Sequence, residues 1–196
     1  MVREVRLFAT GLSGREDASE SLMIRMSMLV WALALLVPAQ ATTLRRASLD
    51  DLIQTSTAIV HGSVVKSYTA SRGLLTYTHY TVQVLDRWKG PASAQVDVQV
   101  PCCNISGAPQ FSAGAEYVFF LWTGPSGANY LLGLSQGALD VTTDASGNVI
   151  VVRQSSEALV LNPVTGAETT QDPMQMKLSD FAGRVTSALK GGNSAK

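Results

Sequence analysis

Thr76-Tyr77-Thr78-His79-Tyr80-Thr81-Val82-Gln83-Val84-Leu85-Asp86-Arg87-Trp88-Lys89-Gly90 is the longest run of β-branched and aromatic residues in the chain. Lys89-Gly90-Pro91 closes it with a turn. Tyr80, Val82 and Val84 fall on one side, and Tyr77, His79, Thr81 and Gln83 on the other. That alternation predicts a half-buried antiparallel strand, with the other strand candidates as its partners.

Upstream, Thr57 to Tyr68 reads as a strand, and Gly62 inside it predicts a bulge or a sharp bend. Ser71-Arg72-Gly73 is the turn between the two. Before them, Ser48-Leu49-Asp50-Asp51 has the form of a capping box, which predicts a short helix over about residues 48–56 with Leu49, Leu52 and Ile53 on one face. Downstream, Gln95 to Val100 alternates strictly, with Val96, Val98 and Val100 inward. Pro101 to Ala115 reads as a loop. Glu116 to Thr123 is nearly continuous in apolar residues, so both of its faces must be covered and it is a central strand.

Asn129 to Leu134 and Ala138 to Thr142 are short strands divided by Gly137. Asp144 to Asn148 is a hairpin loop into Val149 to Val152. Ala158 to Leu161 is a further strand, and Thr165 to Pro173 a loose polar segment. A helix starts at Ser179-Asp180, carries Phe181, Ala182, Val185, Ala188 and Leu189 on one face, and ends at Gly191-Gly192. Residues 193–196 form a frayed tail. The fold class is therefore mainly β: one antiparallel OB-like barrel or sandwich over residues 42–192, with a short N-terminal helix and a C-terminal amphipathic helix that docks on it.

The first 41 residues stand apart. Met28 to Val37 is an apolar run of signal-peptide length, preceded by Arg25 and followed by Ala39-Gln40-Ala41. The expectation is a signal peptide over 23–41, cleaved after Ala41 to leave 196 − 41 = 155 residues. Residues 1–22 contain four acids, unlike a signal n-region, and are expected to be a misplaced-start extension ahead of Met23. The predicted localisation is secreted or periplasmic, with no membrane attachment after cleavage. Fifteen basic residues balance fifteen acidic ones, which argues against a nucleic-acid partner.

The Ser-Leu-Asp-Asp-Leu-Ile helix from Ser48, the Ala-Ile-Val-His-Gly-Ser-Val strand from Ala58, the run from Tyr80 to Gly90, and Gly114-Ala-Glu-Tyr-Val-Phe-Phe-Leu121 together form a pattern. It resembles the netrin-like modules and tissue inhibitors of metalloproteinases over about residues 48–122. It is similar also to uncharacterised secreted bacterial proteins that carry a Gly-Leu-Ser-Gln-Gly segment. The first resemblance implies an OB-type barrel with flanking helices and a binding role. Those inhibitors chelate zinc through a Cys at the mature N-terminus; here that position is Thr42 and no Cys precedes Cys102.

Cys102 and Cys103 are the only cysteines. Adjacent cysteines cannot close a loop, which leaves a strained vicinal disulfide, two thiols, or pairing between chains. A redox role is one consequence to test. Cys102, Cys103, His61 and His79 could be counted as a zinc set, but ligating cysteines are spaced two to four residues apart, so no metal is expected. No cofactor is expected either. Gly133-Leu134-Ser135-Gln136-Gly137 matches the Gly-x-Ser-x-Gly elbow of serine hydrolases, which requires a strand before it and a helix after it. Ala138 to Thr142 reads as a strand instead, so catalysis by Ser135 is the lesser reading. Asn104-Ile105-Ser106 is a glycosylation sequon. Trp88, Tyr117, Phe119, Phe120 and Trp122 are either core or an aromatic platform. The favoured expectation is a non-enzymatic module that binds a protein, peptide or glycan, with an atypical protease inhibitor as the alternative. Asn104, Ile105 and Phe111, in the loop after Val100, are its candidate contact residues.

Overall fold

A computed structural model describes residues 44–103, 108–153, 160–169 and 173–192. The signal segment, Asn104, Ile105, the glycosylation sequon and the tail at 193–196 lie outside the described residues.

The elements run in this order: β1 (Leu44–Arg45), α1 (Leu49–Thr55), β2 (Ala58–Arg72), β3 (Leu75–Lys89), β4 (Gln95–Pro101), β5 (Glu116–Thr123), β6 (Asn129–Leu131), a 3₁₀ turn (Leu134–Gly137), β7 (Ala138–Thr143), β8 (Val149–Arg153), β9 (Val160–Leu161), β10 (Glu168–Thr169), β11 (Met174–Lys177) and α2 (Leu178–Gly192). The fold is mainly β, with a large mixed sheet ordered β11-β8-β7-β5-β2-β3-β4-β6. β6 also pairs with the end of β5. The small sheet is β1-β9-β10.

The central run becomes β3, which pairs antiparallel with β2 from Arg72↔Leu75 to Ile59↔Lys89 and with β4 from Tyr77↔Pro101 to Gln83↔Gln95. The pairing of β2 and β3 slips between His61 and Gly62. A Cβ on Gly62 would lie 2.4 Å from the Gln83 carbonyl oxygen, so the strands approach there closer than a side chain permits. The bulge or bend expected at Gly62 is thus met by a slip in the strand register.

β5 is covered on both faces. Tyr117, Phe119 and Leu121 join Val60, Val64, Tyr80, Val82, Val96, Val98 and Val100 in one core. Val118 and Phe120 join Ile59, Leu139 and Val151 in a second, covered by Leu49, Leu52 and Ile53 of α1 and by Phe181 and Val185 of α2. α1 opens with the expected capping box: the Asp51 N–H donates to Ser48 Oγ at 3.1 Å and the Ser48 N–H to Asp51 Oδ2 at 3.0 Å. The Ser48 hydroxyl also donates to Asp51 Oδ2 at 2.7 Å, and this bond, with the one from the Ser48 N–H, holds the Asp51 carboxyl below the ordinary carboxylate range. At the other end of α1, Lys89 Nζ donates to the Ile53 and Gln54 carbonyls at 2.8 and 3.0 Å. Burial lowers the Lys89 pKa.

Four expectations need correction. The pairing is not wholly antiparallel, because β4–β6 and β1–β9 are parallel. The strand expected at Asn129 to Leu134 stops at Leu131, where the chain enters the 3₁₀ turn. The polar segment from Thr165 contains β10, which pairs with β9. The C-terminal helix is preceded directly by β11, a strand the sequence reading omitted.

Candidate functional site

The sequence-derived candidates do not converge on one site. Phe111, one of the candidate contact residues, is half-buried and turns inward. Its ring packs 5.0 Å from Tyr80, 4.9 Å from Tyr117 and 5.0 Å from Phe119, plugging the first core. The Gly114 N–H donates to the Val64 carbonyl at 2.8 Å and the Val64 N–H to the Ala115 carbonyl at 3.0 Å, which folds the end of this loop back onto β2. Cys102 is half-buried, with its N–H donating to the Thr76 carbonyl at 2.9 Å. Cys103 is exposed and has a positive φ of 62°. Both are thiols here, and a hydrogen bond with Cys102 raises the Cys103 thiol pKa.

The two histidines are committed elsewhere. His61 is buried, its ring nitrogens 3.0 Å from Asp86 Oδ2 and 3.0 Å from Glu116 Oε2. His79 Nδ1 lies 2.9 Å from Asp97 Oδ2, and its ring stacks on Tyr68 with centroids 4.7 Å apart. Among the described residues there is no cluster of three or more His, Cys, Asp or Glu able to hold a metal ion.

Ser135 sits in the 3₁₀ turn and is followed by β7, not by the helix a nucleophile elbow requires. The segment has a structural use. Gln136 is fully buried: its Oε1 accepts from the Ala47 N–H at 2.7 Å and its Nε2 donates to the Arg45 carbonyl at 2.9 Å. Gly137 passes so close to Leu132 that an added Cβ would lie 1.9 Å from that carbonyl oxygen.

A different set of residues does converge. Of the aromatic residues considered as a platform, Tyr117, Phe119 and Phe120 are core, and Trp88 packs edge-on to Phe181. Trp122 turns outward at the end of β5 and is 45% exposed. β6 pairs Tyr130 beside it, ring centroids 5.8 Å apart at 32°. Tyr77 of β3 reaches Tyr130 with centroids 5.9 Å apart. Arg72, at the end of β2, donates from Nη1 to Tyr130 Oη at 3.0 Å. With Pro125 and Ser126 these residues line an open cleft of about 660 Å³. Gly124 lies under the rings; a Cβ there would come within 3.2 Å of Tyr130.

Arg72 and Ser126 also border an adjoining depression of about 400 Å³, lined by Asp97, Gln99 and Asn129. The surface thus joins an aromatic shelf to a polar strip, with Arg72 at the junction. Apolar, aromatic-lined clefts with a few placed polar groups are the usual form of a small-ligand or peptide site. Tyr77 could have been found from its place on the polar face of β3. Arg72 and Tyr130 carried no local signal, because β6 reaches the site through pairings with β4 and β5. No protein-family model matches this chain, and no curated protein matches it in sequence.

Proposed function

We propose that this chain is an exported, non-enzymatic binding module that recognises its partner through the Trp122–Tyr130–Tyr77–Arg72 cleft. In this reading the strands β5, β2, β3, β4 and β6 form an OB-type barrel of the netrin-like kind, flanked by α1 and α2. Residues 23–41 act as the signal that exports it. The observation that carries the reading is the outward-facing Trp122. It is the one large aromatic of β5 left exposed, and two tyrosines and an arginine are arranged around it. Exposed aromatic side chains gathered at a concave surface give large contact area at low entropic cost.

The test uses the indole N–H resonance of Trp122, assigned with Trp122→Phe, in titrations of the full chain with oligosaccharides, proline-rich peptides and carboxylate-ended peptides. The expected result is a saturable shift of Trp122 with Trp88 unmoved. Trp122→Ala should abolish binding while leaving the far-ultraviolet dichroism intact. Binding that leaves Trp122 unshifted, or no shift from any of the three ligand classes, overturns the reading.

A further inference from the structure

We infer that the cleft is built for an acidic oligosaccharide in which a carboxylate-bearing sugar alternates with a neutral one. This rests on the cleft being the binding surface, and it adds the chemistry of the ligand.

Three observations point the same way. The first is the shelf. A pyranose ring has a flat C–H face that packs on an aromatic plane, and the rings of Trp122 and Tyr130 are inclined by only 32°. Gly124 leaves these rings without a side chain beneath them.

The second is charge. Among the described residues, Arg72 is the only charged one lining the aromatic cleft. Its guanidinium has five N–H donors in a planar fork, one of which, on Nη1, donates to Tyr130 Oη at 3.0 Å. A planar fork suits bidentate pairing with a carboxylate.

The third is the polar strip. Asp97 Oδ2 lies 2.9 Å from His79 Nδ1 and accepts from Gln99 Nε2, and Asn129 Oδ1 accepts from Thr123 Oγ1, so the pairing chemistry the strip adds for sugar hydroxyls rests on Asp97 Oδ1 and Gln99 Oε1. Asp97 also carries a negative charge, so a second carboxylate placed over the strip would meet repulsion. A sugar acid on Arg72 must therefore be followed by a neutral sugar over Asp97. A proline-rich peptide would use the shelf but bring Arg72 no anion within its repeat, and a carboxylate-ended peptide would bring one only at its terminus.

The probes are a hexasaccharide of alternating glucuronate and N-acetylglucosamine, the same hexasaccharide with its carboxyls reduced to alcohols, a galacturonate hexamer, and a proline-rich peptide. All are titrated into the full chain with Trp122 as reporter. The alternating hexasaccharide should bind at least about tenfold more tightly than its reduced form, the scale of one charge-assisted hydrogen-bonded pair. It should also outcompete the galacturonate hexamer, and its affinity should fall with added salt. Arg72→Gln should remove the preference for the carboxylate, so that the native and reduced hexasaccharides bind this variant equally. Arg72→Lys, which keeps the charge and loses the fork, should fall between. Equal affinity for native and reduced hexasaccharide overturns the acidic-sugar inference but leaves the cleft as the binding surface. So does a Trp122 shift produced by the peptide and by no sugar. If any of these ligands binds with Trp122 unshifted, or if none of the four probes shifts Trp122, the cleft itself is excluded along with the inference.

Discussion

The hairpin of β2 and β3 has two halves with different work. Near its base, Ile59, Val60, His61, Gly62 and Val64 of β2 and Tyr80 and Val82 of β3 are all buried. There β5 pairs along β2 from Ala58 to Ser63, and the two cores lie on opposite faces. Beyond Val64, β2 is exposed almost continuously to Arg72, and Leu75 at the start of β3 is 53% exposed. That outer half carries Tyr68, Arg72, Tyr77 and His79, and it supplies two walls of the cleft. One continuous pair of strands is therefore buried scaffold at its base and exposed at its end, where it borders the proposed recognition cleft. Stability should reside in the first half and be nearly indifferent to changes in the second, the usual relation between a rigid support and the surface it presents.

Two glycines in the same strand pair give the largest contrast. Gly62 lies in the base, where an added Cβ would meet the Gln83 carbonyl oxygen at 2.4 Å and Val82 Cγ1 at 2.6 Å. Gly73 lies in the tip, with a φ of +63° and open space around it. Gly62→Ala must move a backbone strand and should cost about 3 kcal/mol. Gly73→Ala meets only the left-handed backbone penalty, about 1 kcal/mol. Urea denaturation midpoints at equal m-value decide this. Equal losses would mean that the base and the tip are not energetically distinct.

The histidines repeat the contrast on a smaller scale. The His61 side chain is 5% exposed and lies between carboxylates from β3 and β5. His79 is 15% exposed, with one carboxylate and the Tyr68 ring. Asp86 and Glu116 are themselves well exposed, at 56% and 44%, so they rehydrate when the imidazole is removed. His61→Ala should still lose about 2 kcal/mol from the cavity and the broken bonds. His79→Ala should lose under about 1 kcal/mol, as read from thermal or urea unfolding. A larger loss at His79 would place real stability in the outer half.

Much of the scaffold could be read locally. Ser48 and Asp51 stand in the spacing a capping box needs, and β3, β4 and β5 show their burial as alternation or its absence. What was missed depended on distant partners. The strand expected at Asn129 to Leu134 is present over Asn129–Leu131, but where it ends and that β4 and β5 hold it from both sides could not be read locally. Met174 and Met176 do alternate with Gln175 and Lys177, but methionine is a weak strand signal and a helix follows at once. The cleft was least legible. Arg72 read as a turn residue, Tyr77 as one member of a polar face, and Tyr130 as part of a short strand with no assigned role. They meet only because the sheet brings β2, β3 and β6 to one place. Phe111 failed in the opposite sense: an aromatic residue in a loop suggests contact with a partner, but this loop folds back to complete the protein's own core.

The smallest effect sharpens the division by acting on the base from outside the hairpin. α1 lies on the second core, where Leu52 and Ile53 cover Ile59 and Phe120. Ser48→Ala removes the hydroxyl that accepts the Asp51 N–H and should cost about 1 kcal/mol near neutral pH. The Asp51 pKa is lowered in the folded state, chiefly by the Ser48 side chain and then by its backbone N–H. A depressed carboxyl contributes stability that is fully present above its unfolded pKa and is lost as pH falls through the folded value. Part of what the serine provides therefore disappears in acid, and the gap between parent and variant should narrow when unfolding is measured from neutral pH down through the carboxylate range. Because α1 packs on the second core and not on the cleft, the Trp122 indole resonance should not move in Ser48→Ala at either end of that range. A gap that widened in acid would contradict the capping geometry. A displaced Trp122 resonance would show that the base and the recognition surface respond as one unit.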